Sequence, residues 1–298
     1  MRTRTIEQGF KKFLRALKPT SKESDAAKSH RASIEACLKS KFGITRFVRT
    51  GSFGRGGTSI SGYSDVDYFA QIPTSNLEKN STFMLRRIRD VLDKRFPRTG
   101  VRVSRPAVIV PFRPDGKERT EITPAGYVEV TTKDEYKVYD IPDFSGGWVR
   151  SSPDAHKAYV RKIDQKLNGK VKPFIRFVKA WKFYQKVPIS SFYLELRTAK
   201  YIGSKPSIAY DDYDVAVKRI FSHLLHDVKL AKMRDPIGIC GQIKPCSTDK
   251  KLENTKSRLS TALTRSQKAC DARKNGDIEN AFYWWNKLYN RKFPGYYY

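Results

Sequence analysis

The chain has 298 residues, 39% of them hydrophobic, and its 59 lysines and arginines against 30 acidic residues give a formal net charge of +29. Aromatic residues occur along the whole length, which excludes a disordered basic tail and predicts one large domain or two lobes. A charge this positive predicts a polyanionic partner, such as a nucleic acid, a nucleoside triphosphate or an anionic membrane surface.

Cysteine usage and hydropathy predict the compartment. The four cysteines show no zinc-binding spacing, and no signal-peptide pattern precedes the first predicted helix. No apolar run approaches the length of a membrane-spanning helix. We therefore expect a protein of the reducing cytoplasm that does not insert into a membrane.

The predicted elements of the first half alternate between helix and strand. An amphipathic helix within residues 1–17 either lies on a membrane surface or, as we expect, docks on the protein itself. A helix over 22–42 precedes two short strands, ITRFVRTGSF and DVDYFAQIP, and a helix over 76–96 begins at Asn76 as its cap. The strand VRVSRPAVIVPF, the turn RPDGKE and the strand ERTEITPAGYV then predict a hairpin. This half is predicted to form a lobe with a mixed sheet.

The second half is predicted to be helical. An irregular connector, IPDFSGGWVRSSPDAH, marks the boundary between the halves. The helical segments that follow are 153–168, 171–186, 190–202, 210–231 and 252–275, with an aromatic stretch after them. We therefore predict an α/β (α+β) protein with a first lobe over 1–150, including the N-terminal helices, and a helical lobe over 151–298.

The stretch GSFGRGGTSISGYSDVD, residues 51–67, carries the predicted chemistry. Asp65 and Asp67 are one residue apart on a predicted strand, so both side chains point to the same face, where a cation must offset their repulsion. Two Mg²⁺ ions that support phosphoryl transfer need such carboxylates, whereas the alternative is a solvated pair at a strand end. The upstream Gly51-Ser52 turn favours the first interpretation, because glycine admits phosphate oxygens close to the backbone and serine can donate to them.

This pairing of G-S with D-x-D resembles the signature of the DNA polymerase β-like nucleotidyltransferases. The resemblance implies a third carboxylate on a neighbouring strand. We favour Glu121, in the stretch TEITPA, and place Glu129 second. The other acidic residues considered are Asp115, Glu118, Asp134, Glu135 and Asp140.

Further motifs follow in order along nearly the whole chain. They are TEITPA at 120–125, YDIPD at 139–143, FVKAW at 177–181, SSFYLE at 190–195, Asp235-Pro236 and Lys292-Phe293-Pro294. Together with GSFGRGGT and SDVD, they resemble the cGAS/DncV-like nucleotidyltransferases (CD-NTases) of bacterial CBASS anti-phage systems, to which the animal oligoadenylate synthetases are related.

The resemblance implies both a fold and an activity. The implied fold is a polymerase β-like nucleotidyltransferase lobe with a mixed sheet and a C-terminal helical lobe, with the active site in the cleft between them. The implied activity is synthesis of cyclic or linear oligonucleotide second messengers from ATP, GTP and other ribonucleoside triphosphates, with release of pyrophosphate. Two Mg²⁺ ions, for which Mn²⁺ can substitute, and a downstream effector that binds the messenger are implied as well. We expect a monomer.

The resemblance also implies roles for single residues. The implied catalytic and metal-binding carboxylates are Asp65, Asp67 and Glu121. The implied nucleotide-binding residues are Gly51, Ser52, Lys179, Ser191 and Phe192, with Phe192 under the donor base. Without the resemblance, Lys179 is interpreted as a surface lysine and Ser190-Ser191 as the N-cap of a helix.

The positive charge leaves other functions open. A structured RNA could activate the synthase from a basic surface, and the predicted RNA-binding residues are Lys11, Lys12, Arg15, Lys18, Lys22, Lys28 and Arg31, with a second basic run between 157 and 172. The alternative enzyme adds nucleotides to an RNA 3′ end without a template. A third possibility is a protein that is not an enzyme: an RNA-binding regulator with the same fold.

Overall fold

The computed structural model describes residues 2–18, 21–51, 57–61, 66–112, 119–131 and 135–297, with the backbone alone for residues 21–29. The chain divides into two compact units. The sheet unit comprises Pro19–Ala158 and Ile237–Cys240, and the helical unit comprises Met1–Lys18, Tyr159–Pro236 and Gly241–Tyr298.

The sheet unit contains a sheet of seven described strands. The strands are β1 (Arg46–Arg49), β2 (Val66–Gln71), β3 (Arg102–Ser104), β4 (Ala107–Pro111), β5 (Arg119–Val130), β6 (Lys137–Pro142) and β7 (Trp148–Ser151). Five of them lie in the order β1-β2-β5-β4-β3, while β6 pairs with the second half of β5 and with β7. The β2–β5 pair is parallel and the other pairs are antiparallel. The mixed sheet predicted from the sequence is therefore present.

Two sequence-based predictions about these strands were wrong. The stretch VRVSRPAVIVPF forms two antiparallel strands rather than one, because the chain turns at Arg105-Pro106 between β3 and β4. The connector predicted as irregular contains the end of β6 and all of β7, and these strands pair from Tyr139 with Ser151 to Pro142 with Trp148. The predicted turn RPDGKE, residues 113–118, lies outside the described residues.

A turn at Asp143 explains why β6 and β7 form despite their glycine-rich connection. The Asp143 carboxylate accepts hydrogen bonds from the backbone N–H groups of Ser145, Gly146 and Gly147, each at 2.8 Å, and from the Ser145 hydroxyl at 2.7 Å. These bonds, led by the one from the hydroxyl, lower the pKa of Asp143. The side chain thus fixes the turn that aligns the two strands.

Helices α2 (Ser21–Phe42) and α3 (Ser81–Arg95) cover one face of the sheet. Their shared core with the strands includes Ile34, Leu38, Leu85, Ile88, Tyr68 and Ile122. The prediction that Asn76 caps α3 was wrong: the Asn80 side chain accepts from the Thr82 N–H at 2.8 Å, and Asn76 instead donates to the Phe42 carbonyl at 3.3 Å.

The helical unit is formed from both ends of the chain. Its helices are α1 (Ile6–Ala16), the second part of α4 (Pro153–Lys166), α5 (Val171–Tyr184), α6 (Ser191–Ser204), α7 (Tyr213–Ser222), α8 (Asp249–Lys274) and α9 (Ile278–Leu288). Two short strands, β8 (Met233–Arg234) and β9 (Gln242–Ile243), pair antiparallel. The segments predicted over 153–168, 171–186, 190–202 and 252–275 are helical to within a few residues of their predicted ends. The segment predicted over 210–231 is α-helical only over Tyr213–Ser222 and continues as a π-helical turn to Asp227.

Helix α1 packs within the helical unit rather than with the sheet. Its start is fixed by a capping box, in which Thr5 accepts from the Gln8 N–H and Gln8 accepts from the Thr5 N–H. Phe10 and Phe13 are buried, and the Phe10 ring lies 5.1 Å from Phe177 and 4.9 Å from Trp285. Helix α1 therefore belongs to the helical unit and not to the sheet unit, whereas the sequence predicted it in the first lobe, 1–150. The reason is that the apolar side of α1 completes the core of the helical unit.

Because that apolar side is buried, α1 docks on the protein, as the sequence predicts. Among the helices formed by the described residues, none combines the length and apolar character that a bilayer crossing requires.

Candidate active site

The register of β2 and β5 brings two of the predicted carboxylates together. The strands are parallel, and Asp67 is the direct partner of Glu121. Residues paired in this way lie on neighbouring strands about 4.8 Å apart and project from the same face of the sheet. Both residues are partly exposed.

The two carboxylates lie on the face opposite to helices α2 and α3. Because side chains alternate along a strand, Val66 and Tyr68 on β2 and Ile122 on β5 point away from Asp67 and Glu121, into the core beneath those helices. The sequence folds in this way because VDYFA and TEITPA each place an acidic residue out of phase with the core positions. We call Asp67 and Glu121 the acid row.

Gly51 forms a turn directly against the acid row. The Thr50 N–H donates to the Asp67 carbonyl at 2.8 Å, and Gly51 then adopts a φ of +62°. A Cβ atom at Gly51 would lie 1.8 Å from Asp67 Oδ2, so no other residue fits without displacement. The turn thus packs its backbone against a carboxylate that the sequence assigns to catalysis.

Of Ser52, Asp65 and Glu129, the remaining residues predicted for this site in the sheet unit, the structure describes only Glu129. Ser52 and Asp65 lie outside the described residues. Glu129, the second choice for the third acid, is eight positions further along β5 than Glu121, roughly 25 Å at the rise of a strand. It is exposed and forms an ion pair with Arg150, so the structure does not bring it to the acid row.

The predicted nucleotide-binding residues of the helical unit include the start of α6. Ser190 is the N-cap and accepts from the Tyr193 N–H at 3.2 Å, so the capping interpretation applies to Ser190. Ser191 is the first residue of the helix, and its hydroxyl accepts a hydrogen bond from Lys182 Nζ on α5. Phe192 is 41% exposed. A helix N-terminus with an adjacent ammonium group is suited to bind a phosphate.

Lys179, for which the family resemblance implies a contact with the triphosphate, is a buried residue of the helical unit, and its role stays a prediction. The residue is 1% exposed, and its Nζ lies 3.3 Å from Glu195 Oε2 on α6. Lys182, three residues further along α5, is the lysine that contacts Ser191. From the sequence, Lys179 alone was named for this contact, and only the structure shows that Lys179 is buried while Lys182 is partly exposed.

The predicted RNA-binding residues belong to both units. Lys11, Lys12, Arg15 and Lys18 are exposed in the helical unit. Arg31 belongs to the sheet unit, where it donates to the Phe47 carbonyl at 3.0 Å and forms an ion pair with Glu35 at 3.2 Å. The side chains of Lys22 and Lys28 lie outside the described residues. An RNA-binding role for this set stays a prediction.

With this geometry established, comparison with known proteins gives the family. Residues 4–164, more than half of the chain, match the family of Second Messenger Oligonucleotide or Dinucleotide Synthetase domains. The chain belongs to this family. The matched residues of this synthetase domain include Gly51, Asp67 and Glu121, whereas Lys182 and Ser191 lie beyond them.

Two solved structures show the same fold as this synthetase. CdnC of E. coli MS115-1, solved with ATP, is 20% identical with a TM-score of 0.72, and the similarity covers 97% of this chain and 99% of that one. The Vibrio cholerae cyclic AMP-GMP synthase DncV, solved with the linear intermediate pppA(3′,5′)pG, is 14% identical with a TM-score of 0.76, over 99% of this chain and 98% of that one. The predicted polymerase β-like nucleotidyltransferase fold is confirmed.

A curated relative also matches part of the synthetase. It is a probable cyclic nucleotide synthase of Bacillus cereus (strain VD146), 25% identical over 167 residues. The match covers 55% of this chain and 49% of the relative, so it spans about half of that protein's length.

Proposed function

We propose that this protein synthesises cyclic or linear oligonucleotide second messengers from ribonucleoside triphosphates. The observation that carries the proposal is the acid row, in which Asp67 and Glu121 are direct partners beside the Gly51 turn, in a chain of the synthetase family. The relatives with known nucleotides support ATP and GTP as substrates, since CdnC was solved with ATP and DncV is a cyclic AMP-GMP synthase. We further propose that the messenger acts on an effector in anti-phage defence.

The acid row fits divalent metal ions of the Mg²⁺ type. It offers carboxylate oxygens, the ligands that Mg²⁺ and Mn²⁺ prefer, on one partly exposed face of a sheet. Asp67 and Glu121, with Asp65 as a predicted third ligand, would hold the ions. When bound, two such ions lower the pKa of an attacking hydroxyl and neutralise charge on the phosphates.

The protein's own groups bind and orient the nucleotides. A ribose hydroxyl of one nucleotide attacks the α-phosphate of another, and pyrophosphate leaves. The Gly51 turn holds the Asp67 carboxylate in place, and the predicted role of Ser52 is to donate to the donor phosphates. Ring closure needs the linear product to bind again with its other end at the acid row.

In the helical unit, we assign the triphosphate contact to Lys182 together with Ser191 rather than to Lys179. The hydrogen bond between Lys182 and Ser191 supports this assignment, because it places an ammonium group at the N-terminus of α6. The ion pair of the buried Lys179 with Glu195 supports a structural role for Lys179. Phe192 remains our candidate for stacking on the donor base.

Product analysis tests the proposed function. The full chain is incubated with labelled ribonucleoside triphosphates and Mg²⁺, with and without RNA, and the products are treated with phosphatase and a 3′–5′-specific nuclease. A phosphatase-resistant small product is expected for a cyclic messenger, and a pppNpN ladder for a linear one. Label that appears on the RNA would instead favour the 3′-end nucleotidyltransferase, and no incorporation at all would favour the RNA-binding regulator.

A further inference from the structure

The helical unit carries a groove between α7 and α8 in which cationic and uncharged polar groups lie on a largely apolar surface. Its volume is about 590 Å³. The residues that line it include three cations and three uncharged polar side chains: Lys218, Arg219, Lys268, Ser222, Thr264 and Gln267. Such a lining suits an anionic ligand that also offers hydrogen-bonding groups.

Lys268 connects this groove to two aromatic side chains on α9, the exposed Tyr283 and the partly exposed Trp284. Its Nζ lies 4.5 Å from the centroid of the Trp284 ring. The neighbouring Tyr283 is 50% exposed, and its ring centroid lies 5.2 Å from that of Trp284. The Nζ of Lys287 lies 5.4 Å from the Tyr283 centroid. We call the groove with Tyr283, Trp284 and Lys287 the groove–aromatic surface.

The core of the helical unit does not require these two aromatic residues. On the same helix, Phe282 and Trp285 are 2% and 0% exposed, and both pack on Phe293. One side of α9, with Phe282 and Trp285, therefore packs into the core, and Tyr283 and Trp284 lie on the other side. Large aromatic side chains on a cationic surface are available to contact a ligand.

We propose that the groove–aromatic surface binds single-stranded RNA, with bases on the Trp284 and Tyr283 rings and phosphates on Lys218, Lys268 and Lys287. Aromatic platforms beside a basic groove are the standard means of binding single strands without sequence preference. An acidic protein is the other polyanion that this charge would attract, but lysine is depleted from the centre of protein–protein interfaces, and here lysines lie directly over the rings.

This surface differs from the predicted basic face of α1. We further infer that RNA bound to this surface stimulates messenger synthesis, and only this part of the inference rests on the proposed function. Binding itself is independent of catalysis, because the residues of the groove–aromatic surface are separate from the acid row and from Lys182 and Ser191.

The test measures binding of a fluorescein-labelled single-stranded RNA to the full chain by anisotropy. We expect Trp284→Leu and Tyr283→Ala each to raise Kd about five- to hundred-fold, and Lys268→Ala to reduce the slope of log K against log salt by about 0.7. Tyr210→Ala is the matched control, since Tyr210 is 57% exposed with Lys170 Nζ 5.2 Å from its ring centroid, and it should bind like the unaltered protein.

Tryptophan fluorescence gives a second readout. RNA should quench the emission of the unaltered protein. The quenching should largely be lost in Trp284→Leu, because Trp181 and Trp285 are buried and the fourth tryptophan, Trp148, belongs to the sheet unit rather than to the groove–aromatic surface. Unchanged Kd values in both aromatic variants would overturn the proposal, as would an equal loss in Tyr210→Ala. Displacement of the RNA by polyglutamate without an effect of Trp284→Leu would indicate an acidic protein partner instead.

Synthesis without RNA is measured in parallel, and the aromatic variants should leave its rate unchanged. If RNA binds through this surface but no oligonucleotide forms, the proposed function fails and the surface stands. If messenger forms and the aromatic variants bind RNA normally, the inference fails and the proposed function stands.

Discussion

At Gly51 both the backbone conformation and the nearby Asp67 carboxylate exclude a larger residue. The position has a φ of +62°, and an added Cβ would overlap the Asp67 carboxylate. We therefore expect Gly51→Ala to displace either the turn or Asp67, and to reduce nucleotide incorporation about 100-fold, the usual effect of displacing a reacting group by 1 Å. Incorporation of labelled nucleotide by the purified variant measures this.

Gly100→Ala is the control for this variant. Gly100 has a φ of +72° and no heavy atom within 4 Å of an added Cβ, so it shares the backbone strain of about 1 kcal/mol but not the overlap. It should lose stability slightly and keep its activity. Equal activity losses in the two variants would show that strain alone matters.

Lys179 and Lys182 should respond differently to the same substitution. Lys179→Met removes the cation that pairs with Glu195 and should lower the free energy of unfolding by about 3–5 kcal/mol, whereas Lys179→Met with Glu195→Leu should recover much of that loss. Lys182→Met should keep the unfolding midpoint but raise KM for the nucleotide about tenfold. The reverse result, with stability kept and KM raised in Lys179→Met, would restore the role that the family resemblance implies for Lys179.

At the scale of elements, α1 is a structural part of the helical unit. Phe13 is 1% exposed and packs on Tyr289 and Phe293, with ring centroids at 4.6 and 5.2 Å. Phe13→Ala should lower the free energy of unfolding by about 3–5 kcal/mol in a urea titration. Phe83→Ala, at a residue that is 54% exposed, should change it by less than about 0.5 kcal/mol. Equal effects would show that α1 does not pack as described.

The Asp143 turn gives a pH-dependent prediction. Its hydrogen bonds hold the pKa of Asp143 below the ordinary value of 3.8, so its stabilisation is complete above that value and is lost as pH falls through the lower folded pKa. Asp143→Ala should therefore lower Tm at about pH 7, and the difference from the unaltered protein should shrink at about pH 2–3. A difference that does not depend on pH would mean that the charge of the carboxylate is not involved.

These elements also show what the sequence can and cannot predict. Strand alternation predicted a shared face for Asp65 and Asp67, and the family resemblance implied Glu121 as a third carboxylate on a neighbouring strand. Only the register of β2 and β5 shows that Asp67 and Glu121 are direct partners. Strands β6 and β7 were missed because DFSGGW has the composition of a loop, and only the hydrogen bonds of Asp143 make it a tight turn. The contact of Lys182 with Ser191 could not be predicted, because the sequence of α5 does not reveal which of its lysines packs against α6.

At the scale of the whole molecule, the similarity in fold extends further along the chain than the family match. The family match covers residues 4–164, while the likeness of fold to CdnC and DncV covers 97% and 99% of the chain. The helical unit beyond residue 164, with its groove–aromatic surface, is therefore shared in fold but lies outside the family match. A net charge of +29 is consistent with a polyanion bound there in addition to the nucleotides.

The central claim is that the acid row is the catalytic centre of an oligonucleotide synthase. Its most direct test is the rate of pyrophosphate release from ATP and GTP with Mg²⁺ by the unaltered protein, Asp67→Asn, Glu121→Gln and the control Glu129→Gln, whose position is exposed and ion-paired with Arg150. We expect both acid-row variants to lose at least about 1000-fold while remaining folded, and Glu129→Gln to keep its rate. Full activity in Asp67→Asn or Glu121→Gln would contradict the claim.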